Sequence, residues 1–173
     1  TVTTVNGKVD EAGDFVYDLG QATEVTLPNQ TKINPGSNSR MLTLSKDLQN
    51  KDAKLLDKSN WYTIENLYFE SGSSNLKEAS KEALNNLYQL LNAYPTAEVK
   101  LGGYTDNTGD SLMNVKLSAT RAESTKAALV KMGIDAKRIA TEGYGPMFPI
   151  CPPNSTPECK ALNRRIDVRV TKF

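Results

Sequence analysis

Ser111 to Met132 reads SLMNVKLSATRAESTKAALVKM, and Gly133 follows it. The stretch predicts one long helix, with Gly133 as the residue just past its end. At about 100° per residue, Asn114, Leu117, Ser118, Arg121, Ala122, Thr125, Ala128, Leu129 and Met132 fall within an arc of about 140°. Lys116, Glu123, Lys126 and Lys131 fall outside it. Arg121 therefore sits near the middle of a weakly polar stripe directed at the core. A guanidinium taken out of water needs a partner, because burying it alone costs several kcal/mol or more. That partner is an acid, a set of carbonyls or a ligand.

The nearest acid by pattern is Asp106, in the loop that opens this helix. Binding groups collect in such loops. Two readings stand. In one, Asp106 and Arg121 form an internal salt bridge that ties loop to helix. In the other, they face a shared cleft and divide a zwitterion, since the arginine fork suits a carboxylate and an aspartate suits an ammonium. Patterning alone does not choose between them.

Working outward, Ser80 to Tyr94 predicts a second helix, with Ala83, Leu84, Leu87, Leu90, Leu91 and Tyr94 on one face and Pro95 as its stop. Strands are expected over Trp61–Phe69, Glu98–Gly102, Arg138–Glu142 and Arg165–Val170. In the last of these Ile166, Val168 and Val170 share one side. Ser71–Asn75 and Gly143-Tyr144-Gly145-Pro146 read as turns, and Asp106–Asp110 as a loop. The order strand-helix-strand-helix-strand-strand implies an α+β two-layer sandwich, with both helices on one face of a mixed sheet. Residues 65–69, Glu-Asn-Leu-Tyr-Phe, resemble part of a protease recognition tag. They continue Glu-Ser inside an uninterrupted strand-turn-helix pattern and are read as native.

Residues 1–60 form a small β-rich extension. Val2–Val9, Asp14–Leu19 and Glu24–Leu27 lean to strand, and Lys32-Ile33-Asn34 leads into Pro35-Gly36, so two small hairpins are expected. Met41–Leu56 carries a weak helical pattern. The preferred reading is a structural extension seated on residues 61–173; a separate partner-binding module is the alternative.

Composition excludes several classes. Of 173 residues, 38% are hydrophobic and 24% charged, as in ordinary globular proteins, and the net charge of +1 argues against nucleic-acid binding. No apolar run approaches the ~18 residues of a membrane span. Thr1 is not a natural start, so the chain is expected to be a mature or trimmed piece, with any membrane attachment in a segment it lacks. Histidine is absent, which removes Ser-His-Asp and Cys-His catalysis and most zinc sites. Cys151 and Cys159 cannot complete a tetrahedral metal site alone; no metal and no cofactor are expected. A disulfide between them is preferred over two free thiols and implies an oxidising compartment such as the periplasm. Asp106 to Asp110 lacks the ligand spacing of a calcium loop, and Gly143-Tyr144-Gly145 runs into Pro146 rather than a helix, so it is no dinucleotide loop. Among Glu70, Asp106, Asp110 and Glu142, nothing beyond acidity suggests a hydrolase; an enzyme is not expected.

Four stretches carry a resemblance: GGYTDNTGD (102–110), NVKLSATRAESTKAAL (114–129), GIDAKRIATEGYG (133–145) and NRRIDVRV (163–170). Together and in this order they resemble the OmpA-like peptidoglycan-binding family, from about Trp61 to Phe173. The resemblance implies non-covalent binding of peptidoglycan through the free amino-acid end of diaminopimelate in the stem peptide. Asp106 would hold its ammonium and Arg121 its carboxylate. Asn114, Leu117 and Thr108 would line the pocket, and the backbone of Tyr68, Phe69, Glu70 and Ser71 would border it. Arg164 or Arg165 would supply a second basic group; which of them faces the ligand stays open, since alternation only sets Arg165 opposite Ile166. Tyr104 stands where the family commonly has histidine, so any histidine-linked pH effect should be lost. The implied location is the periplasm of a Gram-negative envelope, associated with the outer membrane, with other envelope proteins as possible partners.

Overall fold

In the computed structural model, residues 5–152 and 155–173 are described. The sheet has four strands: β5 (Tyr62–Thr63), β6 (Glu98–Tyr104), β7 (Ile139–Gly145) and β8 (Arg165–Lys172), in the spatial order β5-β8-β6-β7. β6 and β7 are parallel, while β8 is antiparallel to both β5 and β6. The parallel pair needs a crossover, and α3 (Ser111–Met132) supplies it. α2 (Lys81–Ala93) packs beside α3 on the same face. The expected α+β sandwich with a mixed sheet is what forms.

The long helix begins and ends where its local chemistry says. The Asp110 side chain accepts from the Met113 N–H at 2.9 Å, and Gly133 takes φ 127° while its N–H reaches the Leu129 and Val130 carbonyls. Ser118, Ala122, Thr125 and Leu129 are buried as the projection expects. Met132, placed on the same stripe, is 37% exposed as the last residue of the helix. Gly103 and Gly143 let the helix lie directly on the sheet. A side chain at Gly103 would run into the Ser118 backbone, and one at Gly143 into that of Val115 and Ala119.

The expected strand over Trp61–Phe69 shrinks to Tyr62–Thr63, plus an isolated bridge from Phe69 to Leu76. The chain turns at Asn66, which takes φ 60° and accepts from the Tyr17 N–H (2.9 Å) and the Tyr68 hydroxyl (2.5 Å). Glu65 leaves the ladder to accept from the Ser39 hydroxyl and the Arg40 N–H at the start of α1 (Arg40–Asn50).

The two expected hairpins are present. β1 (Gly7–Val9) pairs with β2 (Phe15–Tyr17), and β3 (Val25–Thr26) pairs with β4 (Lys32–Ile33). The expected start at Val2 falls partly outside the described residues. Leu27 and Ile33, with Met41, Leu44 and Leu48 of α1, join Leu87, Leu101 and Val168 in one core. The first hairpin instead places Phe15 in a second, smaller cluster with Cys151, Cys159, Ala161 and Leu162.

Cys151 and Cys159 are disulfide-bonded. The segment between them is rich in turn-forming residues. Its second part opens a short helix, α4 (Pro157–Asn163), with the Thr156 hydroxyl accepting from the Cys159 N–H and Pro157 in the first turn; residues 153–154 lie outside the described residues. Asn163, fully buried, accepts from the Ile150 and Cys151 N–H groups at 2.8 and 2.9 Å and donates to the Cys151 carbonyl at 3.0 Å. Asn163→Leu leaves three backbone groups without these partners, so a loss of about 2–4 kcal/mol is expected in urea unfolding. A loss under about 1 kcal/mol would mean water takes the amide's place.

Candidate functional site

A cleft of about 500 Å³ opens where β6 ends and α3 begins. Asp106, Thr108, Asn114, Leu117, Arg121, Phe69, Ser71, Arg164 and Arg165 all line it. The Glu70 side chain does not; only its carbonyl turns inward, at 3.5 Å from Arg121 Nη2.

Asp106 and Arg121 are not paired with each other, so the internal salt bridge is ruled out as drawn. Asp106 Oδ2 accepts from Arg164 Nη1 at 2.6 Å, and Oδ1 from the Thr108 N–H at 2.8 Å. Arg121 Nε donates to the Ser73 carbonyl at 2.8 Å, and its guanidinium lies 5.1 Å from the centre of the Phe69 ring. Among the described residues no carboxylate lies within 4.0 Å of Arg121. The half-buried guanidinium that the helix projection singled out thus has carbonyls and a ring for company, but no counter-charge. Burial lowers its affinity for a proton, and the neighbouring Arg164 lowers it further; Asp14 and Asp106 act in the opposite direction.

The loop carrying Asp106 is held from three sides. The Thr105 N–H reaches the Gly145 carbonyl at 2.8 Å. Asn114 Nδ2 donates to the Thr108 carbonyl at 2.8 Å, and Lys160 Nζ to the Thr108 hydroxyl at 3.0 Å. The carbonyls of Glu70 and Ser73 are presented by a tight turn between Phe69 and Leu76, closed by the Glu70 N–H on the Asn75 carbonyl.

The two arginines differ in what their side chains meet. Arg165 is 8% exposed and spoken for: Asp167 Oδ2 at 3.0 Å, the Phe148 carbonyl at 3.0 Å, and the Tyr104 ring at 4.0 Å from its guanidinium carbon. Arg164 is the one that reaches Asp106. Tyr104 serves as the platform for Arg165, and burial pushes its hydroxyl well above the usual phenol range.

Burial pushes the Asp106 carboxyl up, but the Thr108 N–H and the Arg164 guanidinium outweigh it and hold it below its ordinary value of 3.8. A depressed value means the ionised group stabilises the fold above 3.8, and that contribution disappears as pH falls through the lowered value. Asp106→Asn is therefore expected to cost about 1–2 kcal/mol at neutral pH. The gap from wild type should close in denaturant melts taken below pH 3.8. A gap that stays constant with pH would contradict this account.

Sequence reasoning missed one wall of the cleft. Ala12, Asp14, Phe15 and Tyr17 of the first hairpin and Lys77 line it opposite α3. Nothing in their local pattern marks them, because they reach the cleft only through the packing of an extension.

This geometry defines a class: an α+β two-layer domain with a polar, ligand-sized cleft where β6 gives way to α3, built of fixed charges of both signs. Residues 68–164 match the OmpA family, and the chain belongs to it. It is similar to the probable lipoprotein YiaD of Escherichia coli, with 43% identity over 106 residues, covering 61% of this chain and 48% of that protein. It is similar to the peptidoglycan-binding protein ArfA of Mycobacterium tuberculosis, with 42% identity over 102 residues, covering 59% of this chain and 31% of that one. Among solved structures, the peptidoglycan-associated lipoprotein of Burkholderia pseudomallei superposes with a TM-score of 0.56 at 26% identity, over 60% of this chain and 87% of that one. The chain spans half or less of the length of these two curated relatives.

Proposed function

We propose that this chain binds peptidoglycan without covalent chemistry, through the free amino-acid end of diaminopimelate in the stem peptide. The observation that carries the reading is Arg121: a half-buried guanidinium with no carboxylate partner among the described residues, in one cleft with an ionised Asp106. A ligand carboxylate supplies the missing counter-charge in bidentate fashion. Asp106 takes the ammonium, since each carboxylate oxygen accepts more than the single donor it already has. The Ser73 and Glu70 carbonyls hold Arg121 in place, and Asn114 and Thr108 hold the Asp106 loop. A carboxylate kept ionised by Arg164 suits recognition of a cation rather than acid catalysis. Relatives named as peptidoglycan-binding and peptidoglycan-associated proteins support the ligand class. The role is anchoring: the chain would tie an outer-membrane or envelope assembly to the wall from the periplasm, where a disulfide persists. Within it, residues 61–173 form the binding domain and residues 1–60 an extension seated on it.

The test is co-sedimentation with isolated cell wall, followed by calorimetry with two stem peptides, one ending in meso-diaminopimelate and one in lysine. The diaminopimelate peptide should bind and the lysine peptide, which lacks the zwitterionic end, should not. Equal binding of both removes the diaminopimelate reading; no sedimentation with wall removes the function.

A further inference from the structure

Apart from Lys77, the cleft wall that sequence reasoning missed lies outside the stretch that matches the OmpA family. It is the turn of the first hairpin. Asp10 closes that turn on itself, its Oδ1 accepting from the Ala12 and Asp14 N–H groups, both at 2.9 Å. The turn is docked on both sides of the cleft. Arg164 Nη2 donates to the Gly13 carbonyl at 2.6 Å, so the arginine that holds Asp106 also holds the hairpin. Lys77 Nζ meets Asp14 Oδ2 at 2.7 Å. The Tyr68 hydroxyl, which donates to Asn66 Oδ1, lies 3.0 Å from the Phe15 carbonyl oxygen, and the Phe15 ring is seated against the disulfide.

The two acids of the cleft are differently occupied. Asp106 has a donor on each oxygen. Asp14 has Lys77 on Oδ2, and among the described residues no protein donor reaches its Oδ1. Its side chain is 20% exposed and lines the same cavity as Arg121, whose guanidinium feels its charge ahead of that of Asp106. An acceptor with an open oxygen, held by a self-bonded turn in the cavity that Arg121 also lines, is arranged to take a donor from outside.

We propose that the β1–β2 hairpin is part of the binding site, with Asp14 as a second acceptor for the ligand's ammonium and the turn at Ala12 limiting what enters the cleft. This rests on the cleft being the stem-peptide site.

Three full-length variants test it: Asp14→Asn, Ala12→Trp and Arg121→Ala. Each is titrated calorimetrically with a soluble stem peptide ending in meso-diaminopimelate and with the same peptide acetylated on its terminal ammonium, and each is melted thermally. Asp14→Asn should weaken the free peptide by about three- to tenfold and leave the acetylated peptide at the wild-type value. Ala12 is exposed on the turn. Ala12→Trp should therefore keep the melting temperature and weaken both peptides by roughly tenfold or more through bulk alone. If both hairpin variants bind as wild type while Arg121→Ala fails, the hairpin is a brace and the proposal is overturned, though the function stands. An equal loss on both peptides for Asp14→Asn removes its role as ammonium acceptor. Wild-type binding by Arg121→Ala overturns the underlying function instead.

Discussion

Arg121→Ala is expected to lose about a hundredfold or more in affinity for a diaminopimelate peptide, and to stay folded. A bidentate guanidinium–carboxylate contact at a partly desolvated site is worth about 3 kcal/mol when one partner is removed, and about 1.4 kcal/mol is tenfold. The cost to the fold is smaller. The variant gives up the hydrogen bond to the Ser73 carbonyl, a long one (3.5 Å) to the Glu70 carbonyl, and the approach to the Phe69 ring. Together these are worth about 1–2 kcal/mol, or a few degrees of melting temperature for a chain of this size. Arg121→Lys keeps the charge but cannot hold the Ser73 carbonyl and fork a carboxylate at once; about tenfold weaker binding is expected. Calorimetry and a thermal melt on the same samples separate the two effects. Binding unchanged in Arg121→Ala would end the clamp idea. An unfolded Arg121→Ala would show instead that the guanidinium serves chiefly to tie the 70–75 turn to α3.

The largest loss of stability is expected at Gly103, not in the leucine core. A methyl placed there would overlap the Ser118 carbonyl oxygen and stand 2.8 Å from its carbon; at Gly143 it would stand 2.5 Å from the Val115 carbonyl oxygen. These are backbone atoms of a hydrogen-bonded helix, so no side-chain rotation relieves the clash. Gly103→Val must push α3 off the sheet, and a loss of about 3–5 kcal/mol is expected. Because Arg121 sits one turn beyond Ser118, binding should fall with stability, even under conditions where the variant remains folded. Gly72, with no heavy atom within 4 Å of its added carbon, is the contrast: Gly72→Ala meets only the strain of its φ of 62° and should cost about 1–2 kcal/mol. Denaturant unfolding of the two variants checks the ranking. A Gly103→Val protein as stable as Gly72→Ala would show that the close approach of helix to sheet is not a constraint.

The contrast between α3 and the segment at 61–69 shows where local reading succeeds. The α3 boundaries depend on Asp110 and Gly133, each acting on backbone within four residues. Alternation in β8 likewise sorts Ile166, Val168 and Val170 to the core, because every second residue points the same way. Trp61–Phe69 alternates too, yet Asn66 breaks the strand because its side chain is claimed by Tyr17, 49 positions away, as well as by Tyr68. No local signal records a partner that distant.

The site divides along the same line. That Arg121 lies on an inward stripe and needs a partner follows from the 3.6-residue helical repeat, and that Asp106 stands at the helix entrance follows from order along the chain. The sequence by itself determined those two positions, both helices and the inward face of β8, and it favoured a disulfide between the two cysteines without deciding it. Only the tertiary structure decided that Asp106 is met by Arg164 rather than Arg121, that Arg165 is locked against Tyr104 and Asp167, and that a hairpin from the extension closes the cleft. Periodicity specifies which way a side chain points from its own element. What stands across from it depends on how separate elements pack, and Asp14 reaches the cleft of Arg121 only through that packing.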